Sequence, residues 1–258
     1  MSDLQLDIRD GVARITINRP EVMNAMRAAM WPEMADLVRS IEVDPAVRCV
    51  LISGAGANFC AGGDVKEFGT TVEMTAAERA RFWMRNADQT NALFLTIERI
   101  GKPVVTSVRG NAAGGGLALI AAADLAIVSD TARFVVAQIK IGAVPDSGTG
   151  YNLVRSIGLK RAKQLCLLAE SIDAGAALDM GLVNWVVPDA QLEQRTNELL
   201  SRLARLPIVA AARTKAELNA AHTRSLADHF AQEALDVGAC VSEQAYGDSV
   251  RAFLTRRR

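Results

Sequence analysis

The amino-acid sequence predicts an α/β fold with parallel strand pairing, on three observations. Short runs rich in β-branched residues alternate with stretches whose apolar residues have helical spacing, an order typical of strands joined by helical crossovers. One run, VRCVLISG, is apolar almost throughout, as expected of a strand covered on both faces. The chain has 258 residues, 50% of them hydrophobic, which is enough for one large core.

The first elements are two strands and a helix. LQLDIRDGVARITINRP reads as two alternating strands joined by Asp10-Gly11, a dipeptide that favours a hairpin turn. Pro20 ends the second strand, and NAMRAAMWPEMADLVRSIE then has apolar residues at helical spacing. The strand VRCVLISG leads into a loop from Gly54 to Gly63 that contains four glycines.

The middle of the chain continues the alternation. A helix is predicted from Thr75 to Arg99, followed by the strand VVTSVRG, three consecutive glycines, two short strand candidates, LAIVSD and ARFVVA, and the loop IGAVPDSGTG. From Tyr151 onward the pattern is helical apart from VNWVVP. We therefore predict a core over residues 1–202 and a helical region over 203–258 that packs on the core or on another subunit.

Composition excludes several functional classes. Lys plus Arg and Asp plus Glu both number 29, so the chain lacks the basic excess of a nucleic-acid-binding protein. No apolar run reaches the ~20 residues of a membrane span. The N-terminus MSDLQLDIRDG is charged from its third residue, unlike a secretory signal. We expect a cytoplasmic protein without a nucleic-acid or membrane partner.

Cysteines and histidines indicate no metal site. Cys49, Cys60, Cys166 and Cys240 show no CxxC spacing, and we interpret them as reduced thiols that behave as small core residues. The two histidines, at positions 222 and 229, lie in a late amphipathic stretch and are interpreted as packing residues.

Glycine-bearing loops are the first candidate for chemistry. Gly62-Gly63 and Gly114 to Gly116 each follow a predicted strand. If two of their N–H groups converge on one point they form an oxyanion hole, which contributes roughly 3 kcal/mol per donor when charge develops on a carbonyl oxygen. Close packing of helix on strand is the alternative. A dinucleotide loop is disfavoured, since GAGANF lacks the third glycine of its motif.

Five motifs in register identify a known family. NRPEVMNAM, GANFCAGGDVKEF, KPVVTSVRGNAAGGGLALIAAADLAIVSDTARF, IGAVPDSGTGYNLVRSIG and DMGLVNWVV together resemble the crotonase superfamily, the enoyl-CoA hydratase/isomerase family. The resemblance implies a spiral of ββα units with a helical C-terminal trimerisation region. It also implies an acyl-CoA thioester as substrate, no cofactor beyond its coenzyme A, and a homotrimer or dimer of trimers.

Site residues follow from the same resemblance. It implies that Gly63 and Gly115 carry the oxyanion N–H groups. Coenzyme A contacts are expected at Met23 to Ala25 and on Ala61, Asp64 and Val65. The wider set of predicted substrate contacts adds Ala113, Gly114, Ala118, Gln138 and Pro145. Phe82, Trp83 and Met84 are candidates for the wall of the acyl pocket, or for plain core packing.

The chain departs from the hydratases of the family at their two glutamates. Ala118 and Gln138 stand at those positions, and neither can transfer a proton as a carboxylate does. Asp146 stands where several isomerases of the superfamily have a catalytic aspartate, and FVVAQIKIGAVPDSG is most similar to the ring-epoxide isomerases of phenylacetyl-CoA breakdown. We expect the otherwise apolar loop to bury this carboxylate and so make it a stronger base.

A single base suffices to move a double bond, whereas hydration is served well by two acidic groups. The prediction is therefore an isomerase with Asp146 as its base, and a hydratase or a catalytically silent acyl-CoA-binding scaffold stays open. Pro-Asp-Ser-Gly is also an ordinary turn in which Asp146 could satisfy backbone N–H groups. Ser147 lacks the G-x-S-x-G setting of a nucleophilic hydrolase.

Overall fold

A computed structural model describes residues 2–255, in which nine strands and ten helices are formed. The strands are β1 Leu4–Arg9, β2 Val12–Ile17, β3 Cys49–Gly54, β4 Val104–Val108, β5 Asn111–Ala113, β6 Leu125–Ser129, β7 Arg133–Val135, β8 Ile172–Asp173 and β9 Trp185–Val187. The helices are α1 Met30–Val43, α2 Val65–Gly69, α3 Ala76–Arg99, α4 Gly115–Ala122, α5 Thr149–Leu168, α6 Ala174–Met180, α7 Leu192–Ala204, α8 Ile208–Ala220, α9 Leu226–Val241 and α10 Gln244–Thr255.

The main sheet has six strands in the order β1-β2-β3-β4-β6-β9. All its neighbours pair in parallel except β1 and β2. Those two form the predicted hairpin, and Asp10 and Gly11 both have positive φ, 53° and 74°, as the favoured hairpin turn requires. The predicted α/β fold with parallel pairing is confirmed.

A second, smaller sheet has the order β5-β7-β8. Strands β5 and β8 were not predicted, because runs of three and two residues are too short to show a period of two. The segment Cys60 to Gly63 joins the edge of this sheet through a parallel bridge between Cys60 and Ala112. The small sheet therefore brings the two glycine turns to the same place.

Helix α3 begins as the sequence predicts. Thr75 accepts a hydrogen bond from the Glu78 N–H, and the Glu78 carboxylate accepts one from the Thr75 N–H, the reciprocal arrangement of a capping box.

Helix α1, in contrast, begins at Met30, not near Asn24 as predicted. Asn24 is buried with φ of 57°, and its amide donates to the Ala55 and Asn58 carbonyls. Long-range hydrogen bonds thus override the helical pattern of this stretch.

Apolar side chains cover both faces of the main sheet. Residues of α1, α3, α4 and α5 pack on one face, and α7 covers the other through Leu192, Leu199 and Leu200. Cys49 and Cys60 are buried and free, and burial raises the pKa of the Cys49 thiol to about 11 and that of Cys60 to about 12. This agrees with their interpretation as core thiols.

A largely enclosed ion pair attaches helix α8 to the core. The Lys215 Nζ lies 2.8 Å from the Asp124 Oδ2 and also donates to the carbonyls of Ile97 and Lys102, at 2.8 and 3.2 Å. Desolvation lowers the pKa of Lys215 and raises that of Asp124. The Asp124 carboxylate also accepts from the Val104 N–H at 2.7 Å, so the pair joins α8 to the starts of β4 and β6.

The C-terminal helices expose many apolar side chains: Leu218, Leu226, Phe230, Leu235, Val237, Tyr246 and Leu254.

Helix α7 runs through Ala204, so the boundary predicted between residues 202 and 203 falls inside a helix. The last three residues of the predicted C-terminal region, 256–258, lie outside the described residues. No helix within residues 2–255 is long and apolar enough to cross a membrane.

Candidate active site

The glycine turn at residues 60–63 is held between two other segments by backbone hydrogen bonds. On one side Met26 N–H donates to the Gly62 carbonyl at 2.7 Å, and Asp64 N–H donates to the Met26 carbonyl at 2.9 Å. On the other side Ala113 N–H donates to the Cys60 carbonyl at 2.9 Å. The turn is therefore fixed mainly by peptide groups, with one side-chain contact, from the Gly62 N–H to the Cys60 Sγ at 3.4 Å.

These bonds direct the Gly63 N–H away from Met26. In a parallel bridge the residue opposite Met26 is held by its two neighbours, so its own N–H points to the other side. Gly115 is the first residue of α4, where N–H groups have no partner within the helix. Among the backbone bonds of residues 2–255, neither the Gly63 nor the Gly115 N–H has a protein acceptor. A Cβ on Gly62 would lie 3.3 Å from the Gly115 nitrogen, so the two turns are in contact.

The same glycines also serve close packing. A Cβ on Gly62 would lie 2.7 Å from the Ala113 carbonyl oxygen, one on Gly63 2.5 Å from the Phe68 ring, and one on Gly115 2.6 Å from the Trp31 ring. A Cβ on Gly116 would overlap the Cys60 carbonyl oxygen. Close packing and free N–H groups, which the sequence leaves as alternatives, coexist in the structure.

Gly116→Ala is expected to destabilise the fold by about 1–3 kcal/mol, because its methyl group has to displace the backbone of Cys60. The free energy of unfolding, from urea titration, checks this. Gly150→Ala is the matched control: Gly150 lies in α5 with no atom near its Cβ position, so a gain of a few tenths to about 1 kcal/mol is expected. Equal stabilities of the two variants would contradict the packing argument.

Asp146 and Gln138 lie beside the second glycine turn. The Gln138 Nε2 donates to the Asp146 Oδ1 at 3.2 Å, and the Gln138 amide atoms lie 3.9–4.0 Å from the Cβ position of Gly114. The expectation that the loop buries Asp146 is wrong, since its side chain is exposed. The loop turns outward here because Ser147, not Asp146, points into the core, with φ of 58°.

The carboxylate of Asp146 does not stabilise the Pro-Asp-Ser-Gly turn. The Thr149 N–H and Oγ1 both bond to the backbone carbonyl of Asp146, at 2.9 and 2.6 Å. Within residues 2–255 the Asp146 side chain accepts one hydrogen bond, from Gln138. The turn therefore does not depend on the carboxylate.

The segment predicted to contact coenzyme A is assembled around Arg19, which the sequence did not indicate. The Arg19 guanidinium donates to the Ala25 carbonyl at 2.6 Å and to the Asp64 carboxylate at 2.9 Å. Desolvation acts to raise the pKa of Asp64, but the hydrogen bonds from Arg19 and the Lys66 N–H outweigh it and hold that pKa below its usual range. Met23 and Val65 are exposed on either side, and the Ala61 N–H donates to the Met23 carbonyl at 3.0 Å.

The other predicted substrate contacts differ in how deeply they are buried. Ala113, Gly114 and Pro145 are half-buried beside the glycine turn and the Asp146 loop, whereas Ala118 is fully buried in the core. Met84 is exposed.

An aromatic group lies beside the first glycine turn. Phe82 and Trp83 are half-buried, and Trp83 stacks edge-on against Phe68 with ring centroids 4.9 Å apart. Phe68, which the sequence analysis missed, is therefore the aromatic residue next to Gly63. The contact between Phe68 and Trp83 joins two different helices, α2 and α3, so it produces no periodic pattern in the sequence.

A cavity of about 1040 Å³ lies elsewhere, between α3, α5 and α8. It is lined by Phe94, Tyr151, Leu206 and the Lys215–Asp124 pair, among others. Neither glycine turn lines it, so the oxyanion geometry and the cavity are separate features. Among the described residues no group of three or more His, Cys, Asp and Glu side chains could hold a metal ion.

Comparison with known proteins identifies the family. The sequence profile described as enoyl-CoA hydratase/isomerase matches residues 7–258. A short-chain-enoyl-CoA hydratase from Clostridium acetobutylicum is 32% identical over 100% of this chain and 97% of its own length. A 1,2-epoxyphenylacetyl-CoA isomerase from Escherichia coli is 32% identical over 97% of this chain and 94% of its own.

Solved structures match over nearly the whole chain. The crystal structure of an enoyl-CoA hydratase/isomerase from Mycobacterium abscessus superposes with a TM-score of 0.92 at 31% identity, covering 98% of this chain and 96% of that one. An enoyl-CoA hydratase from Thermobifida fusca in complex with CoA superposes with a TM-score of 0.85 at 32% identity, covering 95% of each chain. The two glycine turns, the parallel sheet and the C-terminal helices thus belong to a crotonase fold, and the chain is an enzyme of the enoyl-CoA hydratase/isomerase family.

Proposed function

We propose that the protein is an enoyl-CoA isomerase that moves a double bond from the 3-position to the 2-position of an acyl-CoA thioester. The proposal is supported by two glycine turns in contact, each with an N–H group that has no acceptor among the described residues. Beside the second turn is Asp146, whose carboxylate accepts one hydrogen bond within residues 2–255, from the Gln138 amide. The Asp64 carboxylate, next to Gly63, is bound by Arg19, so we assign Asp146 as the one base that this reaction requires.

The mechanism uses the backbone first. The Gly63 and Gly115 N–H groups bind the thioester oxygen, and the partial positive charge at the start of α4 adds to their field. Both interactions strengthen as the oxygen gains negative charge, so they favour the transition state over the bound substrate. Loss of one such donor typically costs about 3 kcal/mol.

Asp146 then moves the proton. Its carboxylate takes a proton from C2 of the 3-enoyl group, the electron pair delocalises into a dienolate, and the carboxylic acid returns the proton to C4. The product is the conjugated 2-enoyl thioester, and no water or second acid is consumed. The proposed reaction needs no cofactor beyond the coenzyme A that the substrate carries.

Hydration is the second candidate, because a short-chain-enoyl-CoA hydratase is among the relatives that match over their whole length. Ala118 and Gln138 weaken this candidate, since neither residue ionises as an acid. A silent acyl-CoA-binding scaffold is the third, and Asp146 weighs against it.

One experiment separates the three. The protein is incubated with short 3-enoyl-CoA and 2-enoyl-CoA esters while the absorbance of the conjugated thioester is followed. An isomerase raises the absorbance with the 3-enoyl ester. A hydratase lowers it with the 2-enoyl ester. No change with either ester, at enzyme concentrations sufficient for a single turnover, would contradict the proposal and favour the scaffold.

We further infer that the chain assembles as a homotrimer or a dimer of trimers through its C-terminal helices. Residues such as Phe230, Leu235 and Val237 are exposed on α9 in the single chain, and apolar patches of this kind favour self-association. Light scattering on the full chain tests this, and a monomeric mass would rule it out.

A further inference from the structure

The contact between Gln138 and Asp146 joins two parts of the site that the sequence keeps apart. Gln138 begins a single 3₁₀ turn at Gln138–Ile141, and Asp146 lies in the turn before α5. The Gln138 Nε2 donates to the Asp146 Oδ1 at 3.2 Å. The same amide faces Gly114 across the space that a Cβ would occupy, since its carbon, nitrogen and oxygen are 3.9–4.0 Å from that Cβ position.

This arrangement links the carboxylate to the glycine turn. Gly114 directly precedes Gly115, and the Gly114 N–H is itself bound to the Val135 carbonyl at 3.0 Å. A side chain at position 114 would be strained, because φ there is +49°. The Gln138 amide therefore faces a backbone segment whose conformation is fixed by a hydrogen bond and by the positive φ of Gly114.

An exposed aspartate without such a contact rotates freely about its side-chain bonds. Proton transfer from carbon requires the carboxylate oxygen to approach in a narrow range of directions. The hydrogen bond from Gln138 occupies one oxygen, Oδ1, and leaves the other available. A base that acts first on C2 and then on C4 needs this second oxygen to be held at a fixed angle to the glycine turn.

The same contact can hold the protonated form of Asp146. When Oδ2 takes the proton, Oδ1 becomes the carbonyl oxygen of the carboxylic acid and still accepts a hydrogen bond. The Gln138 N–H can therefore hold Asp146 in both protonation states. The Gln138 Oε1 is enclosed and, among the described residues, has no hydrogen-bond partner.

We propose that Gln138 is a positioning residue for Asp146: its N–H holds Oδ1 and so directs Oδ2 towards the substrate, both before and after Oδ2 takes the proton. This inference rests on the proposed function, in which Asp146 is the base. No bond forms or breaks at Gln138, and the proton passes only between C2, the Asp146 oxygen and C4.

A double-mutant cycle on the full chain tests the proposal. Gln138→Met preserves the length of the side chain and removes both hydrogen-bonding atoms. It is made in the wild-type background and in the Asp146→Asn variant, and kcat and KM are measured with a short 3-enoyl-CoA, by single turnover where activity is low. In the wild-type background kcat is expected to fall about tenfold with KM nearly unchanged; in the Asp146→Asn background the substitution is expected to have no effect.

Controls separate positioning from a structural role. Gln138→Glu keeps size and polarity but loses the N–H, so it is expected to lower kcat as well. Lys140→Met, an exposed position in the same turn, is expected to leave kcat within twofold. Equal losses of kcat in both backgrounds, or no loss in either, would overturn the role of Gln138. Full turnover by Asp146→Asn alone would overturn the proposed function instead.

Discussion

Replacing Asp146 by Asn is expected to lower the kcat for 3-enoyl-CoA isomerisation by about 10²–10⁴-fold, the usual contribution of a positioned general base. The substitution keeps the shape of the side chain but removes its ability to take a proton from C2. Because the glycine N–H groups still bind the thioester oxygen, KM should change little. Steady-state kinetics with a short 3-enoyl-CoA ester measure both parameters.

Asp179→Asn is the matched control for this substitution. Asp179 is also exposed, in α6, and its carboxylate has no part in the proposed site, so wild-type kcat is expected. Among the described residues no backbone N–H donates to the Asp146 carboxylate. The substitution Asp146→Asn should therefore also leave the free energy of unfolding almost unchanged. Wild-type turnover by Asp146→Asn would show that another group is the base.

Lys215→Met is expected to destabilise the fold by about 3–5 kcal/mol, because removal of one partner leaves the other charge buried and unpaired. Lys215 is almost fully enclosed, and its ammonium group contacts Asp124 and two backbone carbonyls. The free energy of unfolding from urea titration, at one protein concentration, measures the effect.

Two further variants define the cause. Lys215→Met combined with Asp124→Asn removes the buried negative charge while keeping an acceptor for the Val104 N–H, so the double variant should be more stable than Lys215→Met alone. Lys66→Met, at an exposed position, should change stability by no more than about 0.5 kcal/mol. A Lys215→Met variant as stable as wild type would show that the pair contributes nothing to holding α8.

Elements that depend on neighbouring residues could be predicted from the sequence. The hairpin turn at Asp10-Gly11 and the capping box at Thr75 are encoded within four residues, and both are formed. The prediction that helix α1 begins near Asn24 was wrong because the Asn24 side chain donates to carbonyls more than 30 residues away. Helical periodicity contains no information on such a partner.

The candidate site shows the same division. The glycines were singled out because they form a visible motif, and Asp146 because the chain departs there from the family's hydratases; their catalytic roles stay predictions. Arg19 was missed because the carboxylate it binds, that of Asp64, lies 45 residues away in the sequence. Phe68 was missed because its packing on Trp83 of α3 is set by the fold. The exposure of Asp146 could not be predicted either, because it depends on Ser147 adopting a positive φ and turning inward.

The placement of the Cys60 to Gly63 segment between Met26 and Ala113 has a consequence for how such a site can diversify. The proposed oxyanion-binding point consists of backbone N–H groups, so no side chain has to supply a donor to it. Under the proposed function, exchanges among Phe68, Trp83 and their neighbours are expected to reshape the space for the acyl group while the thioester oxygen keeps its position.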